Sequence, residues 1–534
     1  MILLKNQRSY PLLFAQGLVF LFLGVFSCLF IYCMVQRVIY PFELEWLEGE
    51  MLCHALQVLQ GLPIFGPPSS EFIAEIYPPV YYYVIAAFFK LAGSVSFPLL
   101  RLVSVFSLAG ILVFLYLIIR RQEGSRATAL LVAGLFISCY EIHGAWYDVG
   151  RVDMVFFLFI ISGLYVLAYA RYRYLGIIAG AALLTLACYT KQSAVFYLPF
   201  AALYLFLDSK KEAVFFTLIA SVLVLGFFFG LNAASNGWFA EYAFYNPIRY
   251  NDLMNRPIEQ IPFKMLFEFR DRLWPEIRYE IFYKLPIFFT LIAGYLVHRS
   301  LTLKKSSSVS IWELTALPAI IAYFSIRPHV GSEKNDFMYL TLWGCMLLGL
   351  LLTRLAKSFP DDARQSVRTA LYLLLAGQLA LQLYNPQKLV PAPGSAEKGR
   401  EIISIIRSMP GPVFLPYHSY YGIMAGKEKI MNGGAYWAWQ ILSKEPYRPV
   451  DLIEKIRRKY FFAIIVDDRA YLTAKGDRVL LDNLKIFMDS GDELAAVIEK
   501  YYQPGGRLPY ANDDEFRDTT GLFTRPELIL VRKP

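Results

Sequence analysis

Long apolar runs, broken by short charged clusters, recur along most of this chain. Leu12 to Val35 is nearly free of charge and long enough to cross a bilayer. It exceeds a usual signal-peptide core and lacks a small-residue cleavage site, so it reads as a retained anchor. Similar runs follow at 101–119, 127–140, 154–170, 174–189, 193–207, 213–231, 281–297, 311–326, 337–355 and 371–384. The pattern predicts about eleven crossings. Lys5 and Arg8 precede the first run and place the N-terminus in the cytoplasm. The run after Tyr77-Pro78-Pro79, VYYYVIAAFFKLAG, is short and carries Lys90, so it reads as a helix lying in the outer interface. That choice brings Arg120, Arg121 and Arg126 to the cytoplasmic side, as the positive-inside rule asks. The C-terminus then lies outside.

The pattern changes after Asn385. PQKLVPAPGSAEKG has the composition of a linker. Beyond it, 412–415, 461–466 and 528–531 read as buried strands, and 396–408 and 450–459 as helices. The predicted organisation is a membrane domain over residues 1–384, with a first outer loop over 37–100, and a small outer α/β domain over 385–534. The fold class is a polytopic α-helical membrane protein.

Composition agrees. Of 534 residues, 57% are hydrophobic and 18% charged, less charge than a soluble chain of this length carries. The net charge of +9 comes from Lys and Arg in short loops, where they set orientation, and implies no nucleic-acid partner. Six cysteines are scattered without a CxxC pair, and no HExxH or Walker motif occurs. His54, His143, His329 and His418 all fall outside by this topology, and local hydrogen bonding is the expected role of each.

The polar residues left over gather on the outer side. FELEWLEGEM carries Glu43, Glu45, Glu48 and Glu50 just beyond the first run. Glu45 and Glu48 are spaced to share one face of a helix. Glu43 and Glu50 are expected to face solvent, with Glu50 in reach of His54. Later outer loops add Asp148, Arg151 and Asp153, then Lys191 and Gln192, then Arg327, His329, Lys334, Asn335 and Asp336. Arg101 and Arg249 read as interface anchors, and Gly433 to Trp437 as a turn. Carboxylates beside fixed cations at a lipid boundary suit one reaction class. A base takes a proton from an incoming hydroxyl, and cations hold the charge building on a phosphate leaving group. Nucleotide sugars are absent outside the cytoplasm, so a sugar carried on a polyprenyl phosphate is the expected donor. A transporter or flippase of lipid-linked glycans is the alternative, but it should place polar groups deep within several spans. A non-enzymatic scaffold would not need acids and cations grouped on one side.

The order of short motifs resembles a known family. After the acidic loop come Tyr77-Pro78-Pro79 with Tyr81, then Arg101-Leu102-Val103-Ser104 opening a run that closes in Arg-Arg, then Arg151-x-Asp153, then Lys191-Gln192. This resembles the GT-C glycosyltransferases, within them the family 39 type of protein mannosyltransferases and aminoarabinose transferases. The resemblance implies an inverting transfer from a polyprenyl-phosphate sugar to a glycan, lipid or protein acceptor, in contact with membrane lipids. It implies a bacterial inner-membrane protein with a periplasmic C-terminal domain. A first-loop acid, Glu45 or Glu48, would be the base, where many members carry Asp. Asp148 or Asp153 would assist, and Lys191 and Arg151 would face the phosphate. Some relatives use a divalent metal; nothing in this sequence demands a cofactor.

Overall fold

A computed structural model describes all residues except 1–9, 250–273, 303–308, 328–331, 359–360, 443–447, 468–492, 511–515, 517 and 522–524. Within a bilayer every backbone polar group must be satisfied inside its own segment, and the apolar runs accordingly fold as helices. They are α1 (Tyr10–Val38), α2 (Glu48–Leu59), α3 (Val80–Ala92), α4 (Phe97–Arg121), α5 (Arg126–Ser138), α6 (Asp153–Tyr169), α7 (Arg173–Cys188), α8 (Tyr197–Asp208) and α9 (Lys210–Ala234). Further helices follow at Pro286–Thr302, Ala316–Ile326, Met338–Ser358 and Asp361–Leu381. Local signals mark their starts. Ser96 caps α4 through Leu99 N, and Ser125 caps α5 through Thr128 N. Gly93, in the left-handed conformation, ends α3.

Among the described residues, four helices are long and apolar enough to cross a membrane: Tyr10–Val38, Phe97–Arg121, Lys210–Ala234 and Lys334–Leu355. A fifth span is available if Trp274–Lys284 and Pro286–Ser300, bent by 85°, count as one. Five further expected crossings form apolar helices shorter than 18 residues, and the run at 371–384 overlaps the helix Asp361–Leu381. Helix α6 packs on α4 and α7, and α1 packs on α5 and Asp361–Leu381. The tyrosine run forms α3, which lies against α2 and α4.

The C-terminal region is a four-stranded sheet with helices. Strands β1 (Val413–Phe414), β2 (Ala463–Val466), β3 (Tyr502–Arg507) and β4 (Leu528–Arg532) run in the order β1-β2-β4-β3. Val413 pairs in parallel with Ala463, while β4 is antiparallel to both β2 and β3. The three predicted strands are present, and β3 is an addition. Its sequence YQPGGR lacks strand composition, and its ladder is irregular between Pro504 and Gly506. Helices Ser395–Ser408 and Val450–Arg457 bury Ile402, Ile403 and Ile406, and Leu452, Ile453 and Ile456. Gly433–Leu442 is a helix, not the expected turn.

Candidate active site

The first outer loop is built on an ion pair. Glu48 opens α2, and Arg101 comes from the first turns of α4; both are fully buried. Arg101 Nε donates to Glu48 Oε1 at 2.9 Å, and Nη2 to Oε2 at 2.6 Å. Glu48 also accepts Leu44 N at 2.8 Å and Gly150 N at 2.7 Å. The remaining Arg101 donors reach the carbonyls of Arg37, Tyr40 and Phe42. Such saturation offsets the cost of burying both charges. Gly150 is required here, because a Cβ would stand 2.3 Å from Leu100 Cδ2. Arg101 is therefore a core residue, not an interface anchor.

Asp148 is also committed. Its oxygens accept from Arg37 Nε at 3.0 and 3.1 Å, and Oδ2 accepts from Tyr140 OH at 2.9 Å. Arg37, at the outer end of α1, spends its other donors on the carbonyls of Leu389 and Ala145 and the hydroxyls of Thr519 and Thr520, at 2.7–2.9 Å. One guanidinium thus joins the first span, the second outer loop, the linker and the C-terminal domain.

Glu45 is different. It precedes α2 instead of sharing its face with Glu48. Its Oε2 accepts from Arg151 Nη1 at 2.7 Å and from Leu47 N at 3.1 Å. No hydrogen bond reaches Oε1 among the described residues, although the residue is only 1% exposed. Burial pushes its carboxyl above the ordinary range, against the pull of Arg151. Arg151 Nη2 donates to Tyr77 OH at 3.0 Å, and its buried Nε has no partner among the described residues.

From Arg151 a chain of contacts runs inward. The guanidinium lies 5.7 and 5.9 Å from the Tyr77 and Trp146 rings. Trp146 Nε1 donates to Asp153 Oδ2 at 3.0 Å. Asp153 Oδ1 accepts from Lys191 Nζ at 2.9 Å and Asn335 Nδ2 at 3.1 Å. Lys191 also reaches Asp336 Oδ1 at 3.4 Å, and both acids hold its ammonium well above its usual pKa despite burial. Ser332 Oγ donates to Asp336 Oδ2 at 2.6 Å. Beside them Glu333 is raised to about 7, first by burial and then by the charge of Glu45.

The structure thus brings Glu45, Arg151, Asp153 and Lys191 into one connected cluster and sets Glu48 and Asp148 apart on their own arginines. Glu43 and Glu50, expected in solvent, are 2% and 3% exposed. Glu50 accepts from Ser419 Oγ; His54 bonds the Glu50 carbonyl, not its side chain. His329 lies outside the described residues. Glu333 was not singled out from sequence, and neither were Arg37 and Trp146. Arg37 did leave a signal, as a cation on the outer end of a span. Among the described residues no group of His, Cys, Asp and Glu has metal-binding geometry.

Helices whose loops converge on one polar cluster beside a small α/β domain are similar in fold to solved membrane glycosyltransferases of the GT-C type. Residues 77–232 match the family model described as dolichyl-phosphate-mannose-protein mannosyltransferase, a stretch that holds Asp148, Arg151, Asp153 and Lys191 but not Glu45 or Glu48. Among solved structures, the chain is similar to ArnT from Cupriavidus metallidurans bound to undecaprenyl phosphate, with a TM-score of 0.53 and 12% identity over 96% of this chain and 98% of that one. It is also similar to the Archaeoglobus fulgidus oligosaccharyltransferase in complex with Zn and sulfate, with a TM-score of 0.52 and 12% identity over 91% of this chain and 71% of that one. No curated protein matches at the level of sequence.

Proposed function

We propose that this protein transfers a sugar from a polyprenyl-phosphate-linked donor to a hydroxyl acceptor at the outer membrane face, with inversion, and that Glu45 is the base. The observation that carries this is the state of Glu45. One oxygen is clamped by Arg151; the other is unbonded among the described residues; and burial keeps the carboxyl ready to accept a proton. Glu48 has both oxygens occupied by four donors and none turned toward an incoming hydroxyl.

In the step, Glu45 takes the acceptor proton as the acceptor oxygen attacks the anomeric carbon. The bond from that carbon to the phosphate oxygen breaks, and the polyprenyl phosphate leaves with the electron pair. Arg151 and Lys191 supply the positive charge that the leaving phosphate needs. Asp153 and Asp336 hold Lys191 in place, with Asp153 also tied to Trp146. Glu48 and Asp148 act as scaffold. The similarity in fold to ArnT, a protein solved with undecaprenyl phosphate, supports a carrier-lipid donor. The same reading places residues 1–384 in a bacterial inner membrane as the catalytic domain, N-terminus inside, and 385–534 in the periplasm.

The test is transfer from a radiolabelled polyprenyl-phosphate sugar by purified protein. Glu45→Gln is expected to lower turnover by roughly 100-fold or more, the scale of a general base. Full turnover by that variant would refute the assignment.

A further inference from the structure

The C-terminal domain grips the loop that carries Glu45 at two successive residues and comes close to it at the third. At Glu43 the grip is an imidazole between two carboxylates. His418 Nδ1 lies 2.5 Å from Glu43 Oε2, and Nε2 lies 3.1 Å from Asp467 Oδ2. All three side chains are at least nine-tenths buried. For both ring nitrogens to donate to carboxylates the ring must be the imidazolium. It stacks on Tyr421, with centroids 5.1 Å apart and planes 13° apart, and Tyr421 OH accepts from Glu43 N at 3.2 Å. Gly49 makes room, since a Cβ there would stand 2.2 Å from Glu43 Oε1. At Leu44 the carbonyl accepts Thr519 N at 3.0 Å and Thr520 N at 2.9 Å. At Glu45, Cγ lies 3.5 Å from where a Cβ on Gly521 would stand.

His418 follows β1 and Asp467 follows β2, so both are fixed to the parallel pair of the sheet. Glu43 belongs to the membrane domain. The imidazolium therefore joins two domains across a buried interface. Loss of the ring takes the shared cation from two buried carboxylates; Asp467 keeps the backbone N–H and the charge of Arg525, and Glu43 is left the more exposed to the loss.

We propose that His418 is a positioning residue for the reaction: with Glu43 and Asp467 it fastens the outer domain onto the first outer loop and holds Glu45 at its working place. This rests on Glu45 being the base. His418 itself touches no reacting atom. Glu43 and Asp467 serve it as partners from either domain.

Hydrogen exchange of full-length protein in detergent, run beside donor-transfer kinetics, tests the inference. In His418→Gln, amides over 43–50 are expected to exchange at least tenfold faster, while α4 and α6 stay protected. The kcat should fall at least tenfold with the donor KM within about twofold, because Arg151 and Lys191 stay in place. Adding Glu43→Gln removes one stranded charge and should recover part of the lost protection and rate. Unchanged exchange at 43–50, an even rise across the whole chain, or no recovery in the double variant would overturn the proposal. If His418→Gln does not accumulate, Asp467→Asn, which keeps shape and one acceptor oxygen, decides by the same readouts. Exchange needs no turnover, so a wild type without transferase activity would refute the role of Glu45 and leave the fastening to be judged by exchange alone.

Discussion

Substituting the two neighbouring glutamates one at a time should separate chemistry from scaffold. Glu45→Gln keeps the shape and an acceptor oxygen. Turned toward Arg151, that oxygen retains the bonds from Arg151 Nη1 and Leu47 N, and the new amide occupies the unbonded side. The loss is the charge assistance on those bonds and the ion pair to the buried Arg151, which keeps only the more distant charge of Asp153, about 3 kcal/mol. Glu48→Gln has no such escape. Four donors converge on its two oxygens, two from Arg101 and two from backbone amides. An amide NH2 turns one side into donor against donor and leaves the Arg101 charge buried without a counterion. Breaking a buried pair from one side costs about 3–5 kcal/mol. The expected pattern is opposite in two assays. In a thermal-unfolding measurement in detergent, Glu45→Gln melts below wild type and Glu48→Gln, with its donor-against-donor clash, melts lower still. In transfer kinetics at a temperature where both are folded, Glu45→Gln is the more impaired. A Glu48→Gln protein with wild-type melting and turnover lost to the extent of Glu45→Gln would refute the assignment.

Other outcomes follow from the same geometry. Lys191→Ala leaves Asp153 and Asp336 without their shared ammonium, and donor KM should rise at least tenfold with a loss of kcat, measured by initial rates. The raised pKa of Glu45 means that the base is lost as pH falls through a value above the ordinary glutamate range, so the acid limb of the rate profile should lie above about pH 4.3. Glu75, buried with Oε1 unpartnered among the described residues, is raised to about 8. A folded carboxyl so raised binds a proton that the unfolded chain has released, so its contribution falls as pH rises between the ordinary value and 8. Glu75→Gln should therefore raise the melting temperature at pH 8, with a smaller gain at pH 5.

The helical elements of this molecule were legible from sequence because long apolar runs are local signals. The order Glu45, Arg151, Asp153, Lys191 told which loops share a side, and these four do meet. What stayed hidden was which acid is saturated. Glu48 and Asp148 look like Glu45 and Asp153 along the chain. Their roles depend on Arg101 and Arg37, far away in sequence, whose five-donor heads fit only one acid each. Glu43 and Glu50 were expected in solvent because nothing local reveals that Ser419 and His418 will cover them. Strand β3 was missed because Pro504, Gly505 and Gly506 carry no strand preference and are held by pairing with β4.

Arg37 has a consequence for how the protein is made. Its guanidinium is made long before two of its partners, Thr519 and Thr520, which lie 482 and 483 residues downstream. Until the tail has been made and docked, that charge waits with donors open to water. Completion of the Arg37 cluster therefore reports that translation and docking have both finished, and a chain cut short anywhere before Thr519 would carry the loop after α1 unsealed.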